Sequence, residues 1–319
     1  MKGRGLVLSI GVALLGAAVG AQQQAPPAAQ AQGQQGQQGQ QGQQGQQVQQ
    51  GQGRRGGGPP APTGPHIYIR AGLKSHGPGQ HDYPQFLADW SKILTERNAV
   101  VNGSLHFPTA QELEGVDVMV MYKGDAGGMT PEEKTILENY LKRGGGLVSF
   151  HDTLCGPDPA YYSTILGGAK KHGEVNYTLD ANVPYKVVDP TNPIMEGMTD
   201  VSIRDEAFYL MTWAQSPKIH VLATAKIDDT PSAKQAGHAG EDVPQIWTYE
   251  NTLPGGKPYR AFVWMQGHEY SNFTDIRIEP MLLKGIAWAA KQPYDALMTV
   301  RTPQRGAGAG AGARGGGVH

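Results

Sequence analysis

The sequence predicts an α/β protein built on one mostly parallel sheet, with a strand-rich second half. Three observations carry this. Between His66 and Phe150, strand-like and helix-like segments alternate as β-α-β-β-α-β, the order that parallel strands with right-handed crossovers require. The run Leu147–Phe150 is short, continuous and apolar, with Gly144-Gly145-Gly146 before it and His151-Asp152 after it. Such a run reads as a strand buried on both faces. Beyond Pro184 five extended segments follow one another before a single closing helix.

Taken in order, His66–Ala71 alternates and reads as the first strand. Gly72–Pro84 is a loop punctuated by glycine and proline that carries His76, His81 and Asp82. Gln85–Arg97 places Phe86, Leu87, Trp90, Ile93 and Leu94 at helical spacing. Ala99–Val101 starts a second strand and Asp117–Tyr122 is a third, buried one. Thr130-Pro131-Glu132-Glu133 gives a helix start with a cap, a proline at the first position and acids in the first turn. That helix runs through Ile136, Leu137, Tyr140 and Leu141 to Arg143, where the three glycines let the chain turn into Leu147–Phe150. The later strands are Pro184–Val188, Val201–Tyr209, His220–Ala225, Gln245–Tyr249 and Tyr259–Gln266, and the last helix is Pro280–Ala290.

The ends have a different composition. Lys2 and Arg4, the apolar run Leu6–Ala18 and the small residues Val19-Gly20-Ala21 have the order of a secretory signal, residues 1–21. The apolar run is too short for a comfortable membrane span, so no stable span is expected after cleavage. Residues 22–65 are Gln/Gly-rich and have almost nothing to bury, which predicts a disordered linker. The glycine triplets lack the proline of collagen. Residues 293–319, Gly/Ala-rich from Thr302 on, are read as a second disordered tail, leaving one domain over 66–292. This places the protein outside the cytoplasm, secreted or periplasmic.

The formal net charge is −1, but the two ends hold seven of the 27 basic residues and one of the 28 acidic ones. The domain therefore carries 20 basic and 27 acidic side chains, which argues against a nucleic-acid partner. Cys155 is the sole cysteine, so no intramolecular disulfide forms.

Polar residues at strand ends are the candidates for chemistry, because ligands of open α/β sheets bind at the carboxyl edge. His151 and Asp152 end one apolar run; Trp264-Met265-Gln266 leads through Gly267 to His268 and Glu269. His76 and His81 follow the first strand, and His172 follows a glycine pair. Asp205 and Glu206 interrupt a strand pattern just before Tyr209, and only one of the two can face a given pocket. Histidines from several loops plus a carboxylate suit zinc or a similar divalent ion, with His151, His172 and His268 as ligands. No HExxH or paired CxxC motif is present. Cys155 has no local base, which weighs against a thiol amidase.

Several stretches together carry a family resemblance. They are Asp117–Tyr122, Thr130-Pro131-Glu132-Glu133, Gly144–His151, Leu166-Gly167-Gly168 up to His172, Asp205–Tyr209, Val221–Thr224, Gly267-His268 and Gly285–Ala290. In this order and spacing the chain resembles the ThuA-like (trehalose utilisation) family of the class I glutamine amidotransferase-like superfamily. The resemblance implies a flavodoxin-like three-layer sandwich. It also implies histidine, here His151, where amidotransferases keep a cysteine, so glutaminase activity is not implied. It further implies work on sugars, including oxidised (keto) disaccharides. The loop Ser75–Asp82 departs from the commoner family pattern by its added polar groups, which points to a subfamily with its own substrate.

The expectation is therefore an enzyme that isomerises or hydrolyses a keto-sugar or glycoside with histidine or metal assistance. His151, His268 and Glu206 are the catalytic candidates. His76, His81, Asp152, Asp205, Tyr209 and Glu269 are the substrate contacts, with Trp264, Tyr209 or Tyr270 available to stack on a ring. No nucleotide cofactor is expected. The alternative is a non-catalytic carbohydrate-binding or envelope-associated module.

Overall fold

The computed structural model describes residues 61–173 and 177–301, with the side chains of 177–180 left aside. The signal segment, the linker up to residue 60 and the tail from residue 302 lie outside the described residues.

Nine strands form one sheet. In chain order its first four are β1 (His66–Ala71), β2 (Val100–Ser104), β3 (Val118–Tyr122) and β4 (Gly146–Phe150). A two-residue strand β5 (Gly168–Ala169) pairs outside this sheet with β8 (Thr212–Trp213). The main sheet continues with β6 (Tyr177–Val187), β7 (Val201–Phe208), β9 (Ile219–Lys226), β10 (Asp242–Asn251) and β11 (Tyr259–Trp264). The strand order is β2-β1-β3-β4-β11-β10-β9-β6-β7. β2, β1, β3, β4 and β11 run parallel, and every later pairing is antiparallel. The chain leaves β1 first to one side, to β2, and then to the other, to β3. That reversal is the switch point at which such sheets bind ligands.

Helices cover both faces, as alternation on the buried strands requires. Val118, Val120 and Tyr122 of β3 and Val148 and Phe150 of β4 join one core with α1 (Tyr83–Glu96) and α5 (Glu279–Ala289). Met119, Met121 and Leu147 join the other with α2 (Pro131–Lys142) and α3 (Pro159–Leu166). The result is a three-layer sandwich. The short helix α4 (Pro231–Ala236) lies beside the antiparallel half. No helix among the described residues is long and apolar enough to cross a membrane.

Local chemistry explains the turns. α2 carries the complete capping box: Thr130 accepts from the Glu133 amide and Glu133 accepts from the Thr130 amide. α1 begins at Tyr83, two residues before its predicted start, because Pro84 fits the first turn. Gly146 is required by close approach, since a β-carbon there would lie 2.0 Å from the Ala289 carbonyl oxygen.

The antiparallel half curls back on the parallel half. Gln266 Nε2 donates to Glu206 O and Gln245 Oε1, and Gln245 Nε2 donates to Phe208 O. Tyr185 Oη donates to Gln266 Oε1. These bonds bring β7, last in the sheet order, over the carboxyl end of β11. The domain also extends past its expected limits. Gly64 donates to Asn98 O, Arg301 donates to Glu96 O, and Leu297 is fully buried. Residues 293–301, expected in the disordered tail, thus pack on the core.

Candidate functional site

Four separate stretches deliver imidazoles or carboxylates to the carboxyl rim. β4 runs into His151, which sits at φ +53° and opens a 3₁₀ turn, His151–Leu154. His76 and His81, in the loop after β1, also have positive φ, +65° and +48°. β11 leads to His268 through Gly267 at φ +126°, where a β-carbon would press on the Phe273 ring at 2.9 Å. β7 supplies Asp205 and Glu206. Non-glycine residues held at positive φ are strained, and three of them converge here.

One donor atom each from His81, His151, Glu206 and His268 lies within 4.8 Å of all the others, and all four residues are buried. His81 Nε2 is 2.9 Å from His151 Nε2. Glu206 Oε2 stands 3.4 Å from His151 Nε2 and 3.2 Å from His268 Nδ1. His151 Nδ1 donates to the Met265 carbonyl at 3.2 Å, which turns Nε2 toward His81 and Glu206. Ser75 Oγ lies 3.0 Å from His81 Nδ1. His268 Nδ1 is buried and has Glu206 Oε2 as its facing group. Donor atoms of three imidazoles and a carboxylate that face one another at these distances could hold a cation between them. Three imidazoles and a carboxylate, two of the imidazoles oriented from behind by an oxygen, fit a zinc-class ion.

Electrostatics separate the rings. Burial, then His151, push His81 down to about 2, Asp152 opposing only in part, so the ring is neutral. Burial also acts to lower His268, but Glu206, Asp205 and Glu269 outweigh it and the pKa is raised. Burial acts to raise Asp152, yet His151, Lys170, His81 and His172 hold it well below the usual carboxylate range.

Asp205 clamps the loop that carries His268. Its carboxylate accepts from the amides of Gly267, His268 and Glu269 at 3.0–3.3 Å and from Asn272 Nδ2 at 2.7 Å. Gln80 Nε2 donates to Glu269 Oε1, His81 N to His268 O and Tyr270 N to Gly79 O. The two histidine loops are thereby bound to each other.

A cleft of about 470 Å³ opens beside this cluster at the β1/β3 switch point, lined by His76, His81, Asp152, Arg70, Lys123 and Asp125 among others. His151, with no exposed surface, lies behind His81.

Several expected roles change. His172 reaches the cleft but stands apart from this cluster; half exposed, it holds Asp125 through Nδ1 at 3.0 Å, and His81 and Glu206 are the residues beside His151 and His268. Asp205, expected to touch substrate, is buried with its oxygens taken by amides. Tyr209 and Trp264 are core residues with no exposed surface, and Tyr270 Oη donates to Asp89, so none of the three is free to stack on a sugar in this cleft. Glu269 is held by Gln80. Cys155 is buried, its thiol donates to Asp152, and burial pushes its pKa far up, which leaves no thiolate for amidase chemistry.

Arg70, Tyr83, Lys123 and Asp125 were not anticipated. A usable signal existed for two of them: Lys123-Gly124-Asp125 follows an apolar run, as His151-Asp152 does. Arg70 is a charge near the tip of an alternating strand.

The family model described as trehalose utilisation, ThuA, matches residues 74–289. A protein of Parabacteroides merdae described as ThuA-like has a similar structure, with 17% identity over 72% of this chain and 90% of its own and a TM-score of 0.52. One from Bacteroides uniformis, also described as ThuA-like, gives 16%, 70%, 91% and 0.49. No curated protein matches the chain.

Proposed function

We propose that this chain, which belongs to the ThuA family of trehalose utilisation, is a secreted or periplasmic enzyme that isomerises or hydrolyses a keto-sugar or glycoside at the cleft beside His81, His151, Glu206 and His268. The convergence of these four buried donors beside a polar cleft at the switch point is the observation that carries the reading. The cleft falls within the size range of small-molecule sites. Export is supported by the charged, apolar and small-residue order of residues 1–21.

The roles follow from position. His151 donates from Nδ1 to Met265 O and turns Nε2 toward His81. His81 stands between that nitrogen and the cleft, neutral and oriented by Ser75. Without a bound cation, Glu206 and His268 form a carboxylate–imidazole pair suited to giving and taking a proton at a sugar hydroxyl or at a carbon next to a carbonyl. Asp205 and Gln80 position the two loops. His81, His151, Glu206 and His268 would hold a zinc-class cation, whose chemistry is to polarise a carbonyl or hydroxyl oxygen.

The test is incubation with disaccharides and their 3-keto forms, read by product analysis, for the wild type and for His151→Ala/His268→Ala. The variant is expected to lose activity by about 100-fold or more, and its metal content should fall as well. Equal products at equal rates would sink the assignment. Sugar binding without turnover by the wild type would favour the non-catalytic module.

A further inference from the structure

Besides the histidines, the cleft is lined by two cations that lack carboxylate partners. Arg70 is 7% exposed. Its Nη1 donates to the carbonyls of Ala71 and Leu105, and its Nε, buried, has no partner. Lys123 Nζ donates to the carbonyls of Gly124 at 2.6 Å and Asp125 at 3.3 Å. Neither forms an ion pair among the described residues. The nearby acids are engaged elsewhere: Glu133 caps α2 and both Asp125 oxygens face His172. The two cations stand on adjacent strands, since Gly72 N bonds Tyr122 O directly before Lys123.

A third donor lines the same cleft, beside the His81 ring. Tyr83 is 2% exposed and its hydroxyl has no partner. That oxygen lies 3.3 Å from where a β-carbon on Gly124 would sit, beside the Lys123 turn. All three residues line the same cleft. Burying donors without acceptors is costly, and like charges side by side add to the cost. Burial, then Arg70, hold the Lys123 ammonium below its ordinary value. A guanidinium and an ammonium with spare N–H groups match an anionic oxygen group.

We propose that Arg70, Lys123 and Tyr83 form an anion subsite, so that the ligand is an acidic saccharide bearing a carboxylate or a phosphate. This rests on the sugar reading above and narrows it. The anionic group sits against these three residues and holds the ring within the cleft that His81 lines.

Calorimetric titration of the full chain tests this with glucose, glucuronate, glucose 6-phosphate, acetate and inorganic phosphate. At least one acidic sugar should bind about 10-fold or more tighter than glucose. The order of glucuronate and glucose 6-phosphate identifies the group. Lys123→Gln should abolish the preference. Tyr83→Phe, which removes only the hydroxyl, and Arg70→Lys, which keeps the charge, should each reduce it. Equal binding of glucose and both acidic sugars overturns the subsite and leaves the sugar reading intact. A preference that survives in every variant overturns it too. Acetate or phosphate binding as tightly as its sugar counterpart, with the dependence on Lys123 retained, keeps the subsite and overturns the sugar reading. No binding by any probe overturns both.

Discussion

His81 and His268, whose ring centres are 4.5 Å apart, shift in opposite directions, and each makes stability depend on pH. His81 in the folded chain sits far below its unfolded value, pushed down by burial and then by His151. As pH falls through about 6.5 the unfolded chain takes up this proton and the folded chain does not, so stability falls by up to about 1.4 kcal/mol per pH unit. His268, raised in spite of burial by Glu206 and its acidic neighbours, contributes stability that is fully present below its unfolded pKa and lost as pH rises through the folded one. The two contributions together peak near pH 6.5. Urea unfolding of chelator-treated protein between pH 5 and 8 should show that maximum, with the acid-side slope reduced in His81→Asn. A flat profile from 5 to 6.5, or an unchanged slope in the variant, would contradict it. At this scale the histidines at strand tips were legible because position alone marks them. The exchange of His172 for His81 was not, because a loop's direction depends on contacts such as Gln80 with Glu269 that local sequence does not encode.

At the scale of elements, the loop after β11 is held in place by a side chain from β7. Burial pushes the Asp205 carboxyl up, while His151 and the bonds from Glu206, Asn272 and Gly267 act to lower it. Asp205→Asn replaces one acceptor oxygen by a donor facing amides that already donate. The expected loss is about 2–4 kcal/mol, read by urea unfolding, together with weaker zinc binding because His268 is no longer positioned. Glu206→Gln should weaken zinc binding with a much smaller loss of stability, since that side chain faces the cluster and makes no bond to the loop backbone. Equal destabilisation by the two variants would refute the separate roles. The sequence rule that adjacent strand residues face opposite ways separates Asp205 from Glu206, and the expected site already set Glu206, not Asp205, beside His151 and His268. Local chemistry was legible at α2, whose capping box lies within four residues. It was not at α3, where Pro159–Leu166 is eight residues long and predominantly apolar, with no amphipathic period to detect.

For the whole molecule, the parallel half was readable because each buried strand is a compact apolar run flanked by breakers. The return of β7 over β11 was not, since it depends on Gln245 and Gln266, which bond across the curl of the sheet. The C-terminal limit of the domain was misjudged for a related reason. Composition turns Gly/Ala-rich only after Thr302, while Tyr294, Ala296, Leu297 and Met298 remain apolar enough to pack. Leu297 has no exposed surface and Arg301 N reaches Glu96 O, so this segment closes over α1 and α5. Leu297→Ala should cost about 3 kcal/mol through the lost contacts and the cavity left behind. A chain ending after Gln292 should lose at least as much, because it removes Leu297 together with its neighbours. A chain ending after Arg301 should keep the wild-type unfolding midpoint, since the residues it lacks have almost no apolar side chains to bury. Thermal unfolding of the three variants decides it: equal midpoints for the two truncations would mean that residues 293–301 add nothing to the folded domain.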